Sequence, residues 1–352
     1  MATRRDLLGR LALGLGVMAC RSSFGQPAEG AVYVGVETSA RTEHSIASFF
    51  GASGARLGTV RLDFRAHGLA RQGPLVTVFP RRPGTRFAVI DRDTLEIRAV
   101  VDAPPDRHFY GHGAFTQDGR TLLVTENHLD TLRGGVGVYE ITPRVRRLGE
   151  IELAGSGPHE IARHPSKDLF FIALGGLETH PAYGRTPLNL GSFRSEIVAL
   201  DYRATALGAL GVWPGSEGVS LRHLAMDGTG RLYVGGQVED AVRAATPRLA
   251  WVVDGDRVAP VQDLGAFGGY VSSVAAWGCE ALLTSKVASA AVRLRGTRVT
   301  DRQALDGAGA AALGPNLAAV SGYSVLRLNG AAVAALALHE FDNHGLSVAP
   351  GG

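Results

Sequence analysis

The sequence predicts an all-β protein built as a seven-bladed β-propeller. Short apolar segments alternate with Gly, Asp and Pro, and the 3.6-residue periodicity of helices is missing after the first 25 residues. A second observation is a repeat, in which a residue, usually His, opens a strand unit. The openings fall near positions 67, 112, 159, 223, 273, 309 and 344, close to the roughly 40–50 residues of propeller blades. Seven openings predict seven blades.

Charge argues against a nucleic-acid partner. The chain of 352 residues has 36 Lys plus Arg, 33 Asp plus Glu and a net charge of +3. Arg4, Arg5, Arg10 and Arg21 against Asp6 supply that excess within the first 25 residues. The remainder is close to neutral and shows no basic cluster with interleaved aromatics, which a nucleic-acid surface would need.

The N-terminus is typical of an export signal. An Arg4-Arg5 pair precedes the apolar residues 11–19, which are too few to span a hydrocarbon core of about 30 Å. We therefore predict a twin-arginine signal peptide over residues 1–25, a propeller over residues 30–349, and a periplasmic location. Cleavage is left open: release after Gly25 is favoured, and the alternative is a lipoprotein with a lipid anchor at Cys20.

The strands follow one another at regular spacing. The unit that opens near His67 has apolar strands at residues 75–79, 87–91 and 96–100. Later openings are followed by strands at residues 122–125, 169–173, 232–235, 282–284 and 317–320. After the last opening no full strand set remains, so residues 341–348 are expected to close the ring by pairing with residues 31–36. Closure would remove an exposed sheet edge.

Two glycine-rich stretches interrupt this pattern. Residues 175–190 lengthen the spacing between the openings at His159 and His223. They are too rich in Gly, Pro and polar groups for a strand, so we predict a loop over one mouth of the central channel of the propeller. Residues 134–137 read Gly-Gly-Val-Gly and are interpreted as a turn between strands; with no helix after them, they do not match a phosphate-binding loop.

Several motifs together resemble a bacterial family of exported proteins known as domain of unknown function 1513 (DUF1513). They are residues 81–84 (Arg-Arg-Pro-Gly), 107–115, 157–160 (Gly-Pro-His-Glu), 176–181, 184–190, 220–225 and 342–344 (Asp-Asn-His). The resemblance implies a quinoprotein-like or seven-bladed propeller and a genomic setting beside periplasmic iron-uptake proteins of the imelysin type and dihaem proteins. It implies no activity. The chain departs from the pattern at residues 269–273, which leaves open what blades five and six add to a site.

Five of the seven openings are histidines, and these are the candidate metal ligands: His67, His112, His159, His223 and His344. Opening residues of inner strands can point at the propeller axis, one of the few places where residues so distant in sequence meet. Imidazole suits zinc, copper, iron and nickel, and we expect iron or copper. The alternative is that each histidine caps its strand or lines a water-filled channel.

Further candidates could support these ligands. Glu126, Glu160 and Arg222 lie near the histidines in sequence, and a carboxylate can fix the ring of a liganding His. Glu178 and His180 on the insertion could complete a site from above. The alternatives are salt bridges for the first three residues and a loop held by its own hydrogen bonds for the last two.

The sequence favours a periplasmic binding or accessory protein that acts with an iron-uptake system. The alternatives are a metal-dependent enzyme, either an oxidoreductase or a hydrolase, and an interaction scaffold without a metal. No Gly-x-Ser-x-Gly elbow and no Cys-x-x-Cys-His motif occurs in the sequence, which argues against a serine hydrolase of that type and against covalent c-type haem.

Overall fold

Seven four-stranded antiparallel sheets make up the protein, as the sequence predicted. The computed structural model describes residues 33–348 apart from 40, 43, 204, 211–212, 245–246, 266, 316 and 330. The predicted signal segment and Cys20 lie outside the described residues. Within them, no helix is long and apolar enough to cross a membrane.

The blades are numbered in chain order, starting with the one that contains His67. The strands of each blade are given from the innermost, at the axis, to the outermost. Blade 1 comprises β4 (Ala66–Gln72), β5 (Leu75–Pro80), β6 (Arg86–Asp91) and β7 (Glu96–Asp102). Blade 2 comprises β8 (Arg107–Phe115), β9 (Thr121–His128), β10 (Gly134–Glu140) and β11 (Arg146–Glu152). Blade 3 comprises β12 (Pro158–Arg163), β13 (Leu169–Leu174), β14 (Glu196–Asp201) and β15 (Thr205–Ala209). Blade 4 comprises β16 (Val219–Met226), β17 (Leu232–Val238), β18 (Ala250–Asp254) and β19 (Arg257–Pro260).

The remaining three blades follow the same order. Blade 5 comprises β20 (Ser273–Trp277), β21 (Glu280–Ser285), β22 (Ala290–Arg295) and β23 (Arg298–Ala304). Blade 6 comprises β24 (Ala311–Gly314), β25 (Leu317–Ser321), β26 (Val325–Leu328) and β27 (Ala331–Ala334). Blade 7 joins β28 (His339–Val348) to β1 (Tyr33–Ser39), β2 (Ser45–Phe50) and β3 (Arg56–Arg61). Two short 3₁₀ turns, Pro181–Tyr183 and Phe267–Gly269, lie in loops.

The inner strands form a closed ring. Each of β4, β8, β12, β16, β20 and β24 contacts the inner strand of the next blade, and β24 contacts β28, which returns to β4. β28 pairs antiparallel with β1, with Tyr33 opposite Val348 and Glu37 opposite Phe341. The predicted closure between the two ends of the propeller is therefore confirmed, and it leaves no open edge between blades 6 and 1.

The core lies between adjacent blades. One example joins blades 1 and 2: Phe87 packs against Phe79, Phe109 and Tyr139, with ring centroids 5.1–5.8 Å apart. The middle strands are buried on both faces, whereas outer strands such as β7 and β23 are largely exposed. This gradient explains why the middle strands read as continuous apolar runs in the sequence.

One local prediction was wrong. Residues 134–137, interpreted as a turn, form the start of β10. Gly137 is needed there because a Cβ at this position would lie 2.0 Å from Oε1 of the buried Glu126 on the neighbouring strand. The glycines make room for a large side chain rather than for a reversal of the chain.

Candidate functional site at the propeller axis

The histidine-bearing inner strands share an irregularity in pairing. The register shifts between Ala66 and Leu69 in β4, between Phe109 and Gly113 in β8, and between Pro158 and Glu160 in β12. Further shifts occur between Leu221 and His223 in β16 and where β28 passes from Phe341 to Leu346. β20 and β24 carry no His at their openings and pair without a shift. Bulges of this kind re-aim side chains, so they explain why each histidine leaves the regular alternation of its strand.

The five imidazoles meet at the axis. The ring centroid of His112 lies 5.2 Å from that of His67, 5.6 Å from that of His159, 6.5 Å from that of His223 and 6.0 Å from that of His344. The remaining pairs are His67–His344 at 4.3 Å, His223–His344 at 4.5 Å, His159–His223 at 4.9 Å and His159–His344 at 6.2 Å. We call these five residues the histidine cluster.

Glycines beside the histidines allow this close approach. A Cβ on Gly68 would lie 2.3 Å from the carbonyl oxygen of Gly111 and 2.8 Å from Nδ1 of His112. A Cβ on Gly111, where φ is +114°, would lie 2.9 Å from Cδ2 of His67. Any larger residue at either position would push neighbouring imidazoles apart.

Carboxylates from two blades face three of the rings. Glu160 in blade 3 contacts Nδ1 of His112 at 2.9 Å through Oε1 and faces Nδ1 of His223 at 3.7 Å through Oε2. Asp342 in blade 7 faces Nδ1 of His67 at 3.4 Å. A carboxylate that accepts the Nδ1 proton leaves Nε2 with a free lone pair. Glu160 thus fixes the tautomer of His112.

Several ring nitrogens in the cluster have no hydrogen-bond partner among the described residues. They are Nδ1 of His67, Nε2 of His112, Nδ1 of His159 and Nε2 of His223, in residues that are at most 8% exposed. Buried polar atoms are rarely left unsatisfied without a reason such as a bound ion or water. These nitrogens are therefore the atoms best suited to bind a ligand.

The cluster contains enough imidazole nitrogens to bind a transition metal, but these nitrogens do not point at a common position. Two imidazoles on one ion, with metal–nitrogen bonds of about 2.0–2.1 Å, have centroids roughly 4.5–5.5 Å apart, and several pairs here fall near that range. In the described part of the chain, however, no three His, Cys, Asp or Glu side chains have their donor atoms arranged to hold a metal ion. Binding would require some rings to turn about their side-chain bonds.

Burial disfavours the charged form of four of the histidines, His67, His159, His223 and His344. It lowers the pKa of His67 and of His223 to about 4, although Asp342 and Glu160 act in the opposite direction. Burial and the neighbouring imidazoles also lower the pKa of His159 and His344 well below the usual value. For Glu160, burial would raise the pKa, but His112 and His223 outweigh it and hold the value at about 2. Neutral imidazole beside ionised carboxylate is the protonation state that a metal ligand needs.

A cavity of about 860 Å³ opens above the cluster. His67, His159 and His344 line it, so they form its floor. Arg81, Arg82 and Arg222 lie in its walls, and the insertion contributes Arg185. The structure therefore puts the insertion at one mouth of the channel, where the sequence analysis had it.

Comparison with known proteins settles the family. A family model described as "Protein of unknown function (DUF1513)" matches residues 60–348, which include all five histidines. The chain belongs to the DUF1513 family. No curated protein sequence matches the chain.

Solved structures similar to this DUF1513 protein share its fold. Hydrazine synthase from Kuenenia stuttgartiensis is similar with a TM-score of 0.64 and 12% identity, over 89% of this chain and 98% of that one. The periplasmic gluconolactonase PpgL from Pseudomonas aeruginosa is similar with a TM-score of 0.60 and 14% identity, over 92% of this chain and 100% of that one. At such low identity the likeness concerns the fold alone.

Not every predicted supporting residue of the DUF1513 protein reaches the cluster. Glu126 is buried in blade 2, where it accepts hydrogen bonds from Tyr139 at 2.7 Å and Arg147 at 2.8 Å. Its partners lie within its own blade, and it contacts none of the five imidazoles within the described residues. Its position in the strand after His112 is misleading because its carboxylate meets side chains of β10 and β11 instead of the axis.

Glu178 and His180 take part in hydrogen bonds within the insertion. Nδ1 of His180 accepts the backbone N–H of Ala182 at 3.1 Å and caps the 3₁₀ turn that follows. The backbone of Glu178 is bonded to the side chain of Asn189 and to Leu188, at 2.9 and 2.8 Å. Neither residue lines the cavity. The loop is held by its own hydrogen bonds, and Arg185 is the residue it sends into the wall.

Some residues at the site escaped the sequence analysis. Tyr270, just before β20, lines the cavity, and its hydroxyl lies 3.3 Å from Nε2 of His344. Asp342 was quoted within a motif but not as a carboxylate partner of a histidine. Blade 5 therefore does contribute to the site, through the segment where the sequence departs from the family pattern. In the sequence, only their position within or next to a family motif indicated that Tyr270 and Asp342 could belong to the site.

The pKa values give a prediction for the metal-free DUF1513 protein. Unfolded histidines titrate near 6.5, whereas His67, His159, His223 and His344 resist protonation in the folded state. At pH 5.5 these four side chains should therefore take up about 3.5 protons on unfolding, and stability should fall as the pH drops from 6.5 towards 4. Calorimetric unfolding in buffers of different ionisation enthalpy measures this uptake; at pH 8 the histidine contribution should vanish. An uptake below one proton at pH 5.5 would contradict a neutral cluster.

Proposed function

We propose that this protein binds a transition-metal ion at the histidine cluster and serves as a periplasmic binding or accessory protein in iron acquisition. The observation that carries the proposal is the arrangement around Glu160. This carboxylate holds Nδ1 of His112 and faces Nδ1 of His223, while Nε2 of both rings has no hydrogen-bond partner among the described residues. Carboxylate–histidine pairs of this kind recur behind the ligands of metal sites.

The chemistry of the donors indicates the class of metal. Neutral imidazoles bind copper, nickel, zinc and ferrous iron, whereas calcium and magnesium prefer oxygen donors. In the cluster, ring nitrogens without a hydrogen-bond partner among the described residues belong to His67, His112, His159 and His223, and His344 lies close enough to join them. When bound, the metal would supply a Lewis-acidic or redox-active centre at the base of the cavity. Iron or copper is the metal we expect.

The cellular setting rests on the sequence. The Arg4-Arg5 pair before an apolar run supports export by the twin-arginine route, which carries folded proteins and therefore suits a protein loaded with a metal before export. The resemblance to the DUF1513 family supports partners of the imelysin and dihaem types. We expect the protein to work in the periplasm, and a lipid on Cys20 would tether it there without changing the site.

Elemental analysis tests the proposal directly. Protein exported by its own host and purified without chelators should contain about one Fe or Cu per chain. Metal-free protein should bind Cu²⁺, Zn²⁺ or Fe²⁺ in a calorimetric titration and should become more resistant to thermal unfolding, because a ligand that binds only the folded state stabilises it. Protein that is isolated without metal and also fails to bind any of the added ions would refute the proposal.

A further inference from the structure

The cavity above the histidine cluster carries a marked excess of positive charge. Seven Arg or Lys residues line it, against three carboxylates, Glu239, Glu340 and Asp342. Two of these carboxylates are already engaged. Glu239 accepts a hydrogen bond from Arg222 at 2.5 Å, and Asp342 faces His67 at 3.4 Å. The lining therefore cannot neutralise its own charge.

Arg81 and Arg185 are the clearest case. Both line the cavity, and within the described part of the chain no carboxylate lies within ion-pair distance of either guanidinium. Burial, with Arg185 and Arg65 nearby, lowers the pKa of Arg81 to about 10, and burial with Arg82 and Arg65 lowers the pKa of Arg185. Like charges in a partly enclosed space repel one another, so their grouping is unfavourable unless something of opposite charge binds between them.

The arginines are also held in place for contact with a ligand. The guanidinium of Arg82 lies over the ring of Tyr110 at 4.6 Å from its centroid and hydrogen-bonds to the Tyr110 hydroxyl. That of Arg222 is fixed between Gln237 and Glu239. A second cavity of about 580 Å³ shares Arg65, Arg81, Arg82 and Arg185 with the first. These four residues thus form a basic wall that is accessible from two sides.

We infer that this cavity binds a small molecule with two or more anionic oxygen groups, either carboxylates or phosphates. The planar guanidinium fork matches both groups, and an array of several forks favours a ligand with more than one of them. A volume of about 860 Å³ suits a molecule of metabolite size. The inference rests on the proposed function only at the floor of the cavity. There an anion held by the arginines would face His67, His159 and His344 and could share a metal ion bound to them.

Isothermal titration of metal-free protein, in the absence of any added metal, tests the inference. Citrate is the polycarboxylate probe and inorganic phosphate the phosphate probe. We expect at least one of them to bind the wild-type protein, more weakly at high salt. The double variant Arg81→Gln/Arg185→Gln should weaken that binding at least about tenfold, since it removes two charge-assisted contacts to the anion. Stronger binding of citrate would assign polycarboxylates, and stronger binding of phosphate would assign phosphorylated molecules.

The matched control is Arg120→Gln/Arg133→Gln, which removes the same charge from exposed positions outside both cavities. It should bind the anion within about twofold of wild type. Absence of binding by the wild-type protein, or equal loss in both double variants, would overturn the inference. Titration of Cu²⁺ into Arg81→Gln/Arg185→Gln separates the two proposals, because metal binding should be retained there, and anion binding without metal binding would refute only the metal site.

Discussion

Replacement of His112 by alanine is expected to weaken transition-metal binding by about 100-fold or more. His112 is the central member of the cluster, because its ring is near those of all four other histidines. It also brings with it the carboxylate of Glu160, at 2.9 Å. The variant therefore loses a donor and leaves Glu160 to hold His223 alone. Competition with a chromogenic chelator measures the change in affinity.

The matched control is His108→Ala, which removes another buried imidazole from the same strand. The ring of His108 stacks on Tyr110, and its Nδ1 lies 3.0 Å from the carbonyl oxygen of Phe109. His108 belongs to no pair within the cluster, so its loss should change metal affinity by less than about threefold while costing a similar amount of stability. Equal losses of affinity in the two variants would show that His112 acts only through folding.

Replacement of Gly176 by alanine is expected to lower the free energy of unfolding by about 3–5 kcal/mol. Gly176 is the second residue of the insertion, with φ at +76°, and a Cβ there would lie 2.2 Å from the carbonyl oxygen of Arg194 and 2.6 Å from its carbonyl carbon. Backbone atoms cannot rotate away, so the base of the insertion must shift. Since the insertion carries Arg185 into the cavity wall, the change should also weaken anion binding.

Gly184→Ala separates conformational strain from the steric clash. Gly184 lies in the same insertion with φ at +63°, but nothing lies within 4 Å of an added Cβ. Only the backbone conformation, with ψ at −113° beside the positive φ, is then penalised, at about 1–3 kcal/mol. Urea unfolding of both variants and of wild type gives the two values. A Gly184→Ala loss as large as that of Gly176→Ala would attribute the whole effect to φ and contradict the clash.

The architecture could be predicted because propeller strands carry local signals. Middle strands such as residues 169–173 and 232–235 are continuous apolar runs because both of their faces are buried between blades. The spacing of the openings then fixed the number of blades, and the lack of a strand set after His344 predicted the pairing of β28 with β1. Residues 134–137 were wrongly predicted to form a turn. Glycine occurs both in turns and in strands where a neighbouring side chain fills the space of a Cβ, and the sequence alone does not distinguish these two cases.

The site could be predicted only in part. The convergence of the histidines follows from ring closure and from their place at the strand openings. The direction in which a side chain leaves its strand does not: Glu126 faces Tyr139 and Arg147, whereas Glu160 faces the axis through the bulge at His159. Register shifts and contacts between blades, such as Tyr270 with His344, depend on three-dimensional pairing that no local pattern records.

Joining β28 to β1 has a consequence for the order of events during folding. His344 and Asp342 are supplied by the strand that completes the ring, and their nearest partner, His67, stands on the first blade. Until the two ends of the propeller meet, the cavity has no seventh wall and the cluster lacks one of its rings. A ligand that binds only the closed ring would therefore stabilise the pairing of β28 with β1. Ligand binding and ring closure would then favour each other thermodynamically.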